Sequence, residues 1–185
     1  MIDNSTISNH GRVVWLFGRP CAGKTTIGSR LSAFLKGLNY PVITLDGDEL
    51  RGTINRDLGF SPEDRYENIR RSAEMARVLA KKGIVVVCSF VTPTNKLRNL
   101  INEILFDVPN DLIFINTSLE ECKRRDTKGH YRQAQTGVIS DFTGVGSPFE
   151  EPVGEHHILN TKDLNIDEAV EKCFRFIFPG ELYSQ

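Results

Sequence analysis

A strand-like run, RVVWLF from residue 12, ends directly on GRPCAGKTT, so that Gly18, Gly23, Lys24 and Thr25 fall in the order G-x-x-x-x-G-K-T. That order constrains what can surround it. The glycines let the backbone curl until successive N–H groups converge on one point. A strand must deliver the loop, and a helix must start behind it so that its N-terminus faces the same point. The product is a cradle for nucleoside phosphates. Gly18, Arg19, Pro20, Cys21, Ala22, Gly23, Lys24, Thr25 and Thr26 are therefore expected to bind ATP, with Lys24 reaching the β- and γ-phosphates and Thr25 able to ligate Mg²⁺.

The rest of the chain fits around such a loop. After the first run, further apolar or β-branched runs begin at residues 41 (PVITLDG), 84 (IVVVCSF), 111 (DLIFINT) and 156 (HHILNT), each suited to a strand covered on both faces. Helical signals lie between them. Ser61 and Pro62 read as N-cap and N1, followed by Ile69, Ala73, Ala76 and Ala80 at helical spacing. Ser118 and Glu121 read as a capping box, and residues 167–178 as an amphipathic closing helix. Alternating strands and helices predict a parallel α/β sandwich.

At 185 residues the chain is expected to form a single domain, residues 1–185, with residues 1–11 as a loose polar N-terminus. A net charge of -1 offers no overall attraction for nucleic acid or an acidic membrane, so any basic site must be local. Cys21, Cys88, Cys122 and Cys173 are widely spaced without a C-x-x-C pair, which suggests reduced thiols in a cytoplasmic protein. No apolar stretch approaches a bilayer's span. Residues 126–155 resist the pattern, since five glycines and two prolines break them up and apolar periodicity is weak. With Lys128, Tyr131, Arg132 and Phe142 embedded, they are expected to form a functional lid.

A phosphate loop serves switches, motors and kinases alike. A guanine-selective switch would carry N-K-x-D, but the nearest string, NKLR at 95–98, lacks the aspartate. Instead LDGDELR puts Asp46 and Asp48 at the C-terminal tip of the second strand, where open parallel sheets bind ligands. Acids there can organise Mg²⁺ and accept a hydroxyl proton, as phosphoryl transfer to an alcohol requires. Downstream come Arg51, Arg56, Arg65, Arg70, Arg71 and Arg77. Some can be solvated and paired along a helix, as Arg71 with Glu67, and others suit a compact anionic substrate. Phe60 beside them offers a stacking face for a base.

In the segments LDGDELR, INRDLGFSPEDRYENIRR, ECKRRDTKGHY and DFTGVGSPFEEP, in that order and spacing, the chain resembles the adenylylsulfate kinase family. That family phosphorylates the 3′-hydroxyl of adenosine 5′-phosphosulfate (APS) with ATP to give PAPS in sulfate activation. The resemblance runs from residue 12 to about 177. It implies a P-loop kinase fold with a five-stranded parallel sheet, and often a homodimer. It makes Asp46 the proton acceptor or Mg²⁺ organiser, beside Lys24, and Asp48 a substrate-pocket acid. It assigns the phosphosulfate to Arg56 and Arg70 with Asn68 nearby, and the adenine to a sandwich of Phe60 and Phe142. Lys128 adds charge to the closed site, and Arg51, Phe90, Val91 and Thr92 complete the pocket, Thr92 standing where the family has a serine.

Some positions depart from the family pattern. Arg19, Pro20 and Cys21 replace small residues in the phosphate loop. Glu49, Gly52 and Thr53 follow the acidic pair where the family has Asn and then His-Gly. Thr94 and Asn95 replace an aromatic and a cation, and His130, Gln133 and Gln135 stand in the lid at Leu, basic and Arg positions. Loss of cations near the acceptor keeps a second reading open, a homologous kinase acting on another anionic nucleotide conjugate such as a cytidine diphosphoramidate. A noncatalytic nucleotide sensor is a third, against which Asp46 and Asp48 both speak.

Overall fold

The computed structural model describes residues 11–137 and 142–180. The expected loose N-terminus lies outside the described residues except for Gly11, as do residues 138–141 of the lid stretch. Five strands, β1 (Arg12–Phe17), β2 (Val42–Asp46), β3 (Val85–Phe90), β4 (Asn110–Asn116) and β5 (His157–Asn160), form one parallel sheet in the order β2-β3-β1-β4-β5. These are the runs expected from sequence.

Period-two alternation explains why the central runs are continuously apolar. In β1, Val14 and Leu16 enter one core and Val13, Trp15 and Phe17 the other; β3 divides Val85 and Val87 from Val86, Cys88 and Phe90 in the same way. Helices α1 (Lys24–Gly37) and α7 (Ile166–Ile177) cover the first face through Ile27, Leu31, Leu35, Val170, Phe174 and Ile177. Helices α3 (Pro62–Ala80) and α4 (Asn95–Ile104) cover the second through Ile69, Ala73, Ala76, Leu97 and Ile101. Each fully buried aliphatic or aromatic side chain contributes about 1.5–3 kcal/mol of transfer free energy, and this double core fixes the sheet edge that carries the loops.

Local signals set the helix starts. Ser61 caps α3, accepting from Asp64 N, with Pro62 in the first turn. Ser118 accepts from Glu121 N at the start of α5 (Leu119–Arg124), but the expected capping box is only half closed. The Glu121 carboxylate is engaged by Arg124 and Arg125 at 2.7 and 2.6 Å. A complete box, Asn165 with Glu168, starts the closing helix, whose first residue, Ile166, is one before the expected start. Like α4, two short helices carried no signal named from sequence. Asp46 caps a short α2 (Gly47–Gly52), and α6 (His130–Gln135) lies inside the lid stretch.

That stretch is anchored more firmly than its periodicity suggests. Tyr131 is buried, its hydroxyl donating to Pro20 O at 3.1 Å, and Phe142 meets the Tyr131 ring edge-on at 5.0 Å. A single aromatic anchor leaves no periodic trace. Among the described residues no helix is long and apolar enough to cross a membrane.

Candidate active site

The phosphate loop sits between β1 and α1 on the C-terminal edge of the sheet. Gly18 has φ +153°, and a Cβ there would stand 2.7 Å from Ile115 O; Gly23, with φ +103°, is the left-handed N-cap of α1. No other residue type meets both demands without strain. Lys24 is buried and folds back over the loop, donating to Gly18 O at 3.1 Å and Arg19 O at 2.7 Å. Burial lowers its pKa to about 8.

Asp46, at the tip of β2, joins this loop. Its Oδ2 accepts from Thr25 Oγ1 at 2.7 Å while its Oδ1 caps α2 by accepting from Asp48 N at 2.9 Å. A hydroxyl and a carboxylate in contact beside a phosphate cradle are hard oxygen donors of the kind Mg²⁺ takes alongside nucleotide phosphates, so Thr25 and Asp46 fit that ion. Asp48 is exposed just beyond them.

On one side of the loop opens a cavity of about 390 Å³. Thr25, Thr26 and Ile27 from α1, Arg125 after α5, and Thr161, Leu164 and Ile166 around the turn into α7 line it. Arg125 and the turn from 161 to 166 were missed from sequence. Their only local signal is a capping asparagine, whereas their nearness to the loop depends on β5 pairing with β4.

On the other side lie the residues expected at the acceptor. Phe60 is 61 % exposed, with the Arg51 guanidinium 4.5 Å from its ring centroid and Arg51 Nη1 donating to Gly59 O. Arg65 bridges toward the lid, donating to Phe60 O and Thr143 Oγ1. Arg56 is exposed and forms no ion pair among the described residues. The Arg70 fork is closed on Glu67 at 2.7 and 2.8 Å, and with Arg71 it drags the Glu67 carboxyl down to about 2. Arg71 also pairs with Asp57, and Arg77 pairs with Asp107. Arg70, Arg71 and Arg77 thus stand in helix-surface pairs, Arg51 and Arg65 lie beside Phe60, and Arg56 belongs to neither group. Asn68 is buried, its Oδ1 accepting from Asn55 Nδ2 at 3.0 Å. Phe90 stacks on Trp15 with centroids 4.7 Å apart, and Val91 O accepts from Gly18 N. Thr92 is buried with its hydroxyl accepting from Trp15 Nε1 at 3.0 Å. Lys128 is exposed, and Phe142 packs on Tyr131 and His130.

Cys21 is not an activated thiol. Burial and the neighbouring Asp126 raise its pKa, outweighing the loop's positive character. His156 meets Phe17 edge-on while His157 stacks on Phe176, so the adjacent imidazoles enter opposite faces of the sheet. No group of three or more metal-ligating side chains occurs among the described residues.

Comparison with known proteins accords with this geometry. The sequence profile described as adenylylsulphate kinase matches residues 10–160. An adenylyl-sulfate kinase of Pseudomonas entomophila is 38% identical over 89% of this chain and 79% of its own. A probable adenylyl-sulfate kinase of Aeropyrum pernix is 40% identical over 90% of this chain and 92% of its own. The Mycobacterium tuberculosis APS kinase CysC, solved in complex with AMPPNP and APS, superposes with a TM-score of 0.87 at 35% identity, covering 90% of this chain and 97% of that one. With that profile matched over most of the chain and these relatives matched over most of their own length, the chain belongs to the adenylylsulphate kinase family.

Proposed function

We propose that this protein transfers the γ-phosphoryl group of ATP to the 3′-hydroxyl of APS, giving PAPS and ADP. The observation that carries the reading is the 2.7 Å contact between Thr25 and Asp46, which puts a carboxylate able to take a hydroxyl proton beside the loop that holds the phosphates. ATP lies with its phosphates against residues 18–26 and its nucleoside toward Arg125 and the turn from 161 to 166. Lys24 leaves the carbonyls of Gly18 and Arg19 to meet the β- and γ-phosphates. Thr25 and Asp46 would hold Mg²⁺, which when bound would supply neutralisation of the phosphate charge. APS lies opposite, its adenine on Phe60 and covered by Phe142, its anionic groups near Arg51 and Arg56 and near Arg70 once that fork leaves Glu67, with Asp48, Asn68, Lys128 and the 90–92 strand end around it. The acceptor oxygen then attacks phosphorus in line, its proton passes to Asp46, and ADP leaves.

Two of the departures near the acceptor have internal explanations that require no new substrate. Thr94 caps α4, and the Asn95 side chain is spent on Glu151 O, Arg98 and Val153 N. A coupled assay with Mg-ATP, comparing APS with cytidine diphosphate conjugates and identifying the product by mass, tests the reading. Turnover of APS is expected; turnover of a cytidine conjugate without APS turnover overturns it. The family resemblance also supports a cytoplasmic homodimer, which sedimentation of the purified protein would reveal at twice the 20.8 kDa chain mass.

A further inference from the structure

Arg98, in the first turns of α4, is 3 % exposed and the one buried arginine among the described residues. It faces no buried carboxylate. Its Nη2 donates to Pro93 O at 3.2 Å and Glu150 O at 2.9 Å, and its Nη1 to Asn95 Oδ1 at 2.6 Å. The guanidinium lies 5.0 Å from the ring centroids of both Phe17 and Phe149. The hydrogen-bonding partners and Phe149 come from two segments far apart in sequence, the turn at 93–95 that follows the acceptor-side strand end and the arm at 149–153 by which the lid returns to the sheet, while Phe17 is the last residue of β1.

The same two segments are laced together around it. Glu150 N donates to Pro93 O at 2.9 Å, Asn95 N to Glu150 Oε2 at 2.6 Å, Asn95 Nδ2 to Glu151 O at 3.1 Å, and Val153 N to Asn95 Oδ1 at 3.2 Å. Phe149 carries the connection onward. The Arg19 guanidinium lies 4.8 Å from its ring centroid, Arg19 Nη2 is 3.5 Å from Glu151 Oε1, and Arg19 O is the acceptor on which Lys24 rests. The phosphate loop's unusual arginine thus meets the same arm.

We propose that Arg98 is a positioning residue that fixes the acceptor-side turn and the returning arm of the lid in one register, acting on the acceptor through Pro93 and Asn95. The proposal rests on the kinase reading for its kinetic consequence. Only a planar fork offers fixed donors to acceptors on two segments while presenting its faces to aromatic rings; a lysine is a point charge and a methionine has no donor. A role confined to packing would not need the charge, because an apolar side chain of similar volume commonly replaces a buried ionic one at little cost in stability.

Arg98→Met and Asn95→Ala test this. In the ligand-free proteins, hydrogen exchange at the amides of Asn95, Glu150 and Val153 is expected to quicken by about tenfold or more in Arg98→Met, with β1 and α7 unchanged. In steady-state assays the KM for APS should rise about tenfold or more while the KM for ATP stays within about twofold, the split expected of lost acceptor positioning. Asn95→Ala, which keeps the buried guanidinium, should show both changes at smaller size, and it decides the matter alone if Arg98→Met does not fold. Unchanged local exchange, or activity losses that follow the unfolded fraction equally for both substrates, overturns the proposal. If the wild-type protein does not turn over APS, the kinase reading fails on its own and the exchange measurement still decides the role of Arg98.

Discussion

The Thr25 hydroxyl donates to Asp46 Oδ2 across 2.7 Å, joining the first turn of α1 to the tip of β2. The informative substitution is Asp46→Asn, because asparagine caps a helix as well as aspartate does and α2 therefore keeps its start. What is lost is the anionic oxygen. The kcat is expected to fall by about 10²–10⁴-fold. ATP binding, measured calorimetrically without acceptor, should stay within about tenfold, as for a group acting mainly in the transition state. A normal kcat would remove Asp46 from the chemistry.

Lys24 makes nucleotide binding sensitive to pH. Burial lowers its pKa from 10.5 to about 8, so in the empty loop about three quarters of these side chains are neutral at pH 8.5. Phosphates beside the ammonium raise that pKa again. ATP binding at pH 8.5 should therefore take up roughly 0.7 proton, seen by calorimetry in two buffers of different ionisation enthalpy. For folding the sign is also fixed. The penalty for burying a charged Lys24 is full below pH 8 and fades as pH rises toward 10.5. Lys24→Ala should abolish both turnover and proton uptake.

Phe60 separates acceptor binding from stability. Its ring is 61 % exposed and held by Arg51, so Phe60→Ala removes little from either core. Loss of one base-stacking face costs about 1–3 kcal/mol, a rise of roughly 5- to 150-fold in the KM for APS. The melting temperature and the KM for ATP should hardly move. Equal changes for both substrates would place Phe60 outside the acceptor pocket.

The sheet was legible in the sequence because a strand buried on both faces leaves a continuous apolar run, and RVVWLF and VVVCSF have few other uses. The phosphate loop was legible because its chemistry is carried by adjacent residues. What stayed hidden depends on partners far along the chain. Arg71 has the expected near partner in Glu67 and Arg77 has Glu74, but the carboxylates that each guanidinium grips with two nitrogens, Asp57 and Asp107, lie 14 and 30 residues away, so sequence could not divide all the arginines between surface pairs and the acceptor side. The string at 95–98 was weighed as a failed guanine motif and, at Asn95, as the loss of a family cation, whereas it opens α4 and holds the one buried arginine among the described residues. Glu121 signalled a capping box that nearby arginines took apart.

Thr92 joins the acceptor turn to the core and tests how the phosphoryl group travels. It is 1 % exposed, has φ +43°, and accepts from Trp15 Nε1 at 3.0 Å. A β-branched residue in that left-handed region is strained by about 1–3 kcal/mol, so surrounding contacts must hold it there. Thr92→Val keeps the volume and the branching but leaves the buried indole N–H without its acceptor. That should cost about 1–3 kcal/mol, read as a fall of about 2–12 °C in melting temperature for a chain of this size. Turnover per folded molecule should stay near that of the wild type, because direct in-line transfer needs no phosphorylated threonine. ATP labelled in its γ-phosphate should accordingly leave no label on the denatured wild-type chain. Label that is present in the wild type and absent from Thr92→Val, together with lost turnover, would make this hydroxyl a covalent relay and replace direct transfer with a two-step mechanism.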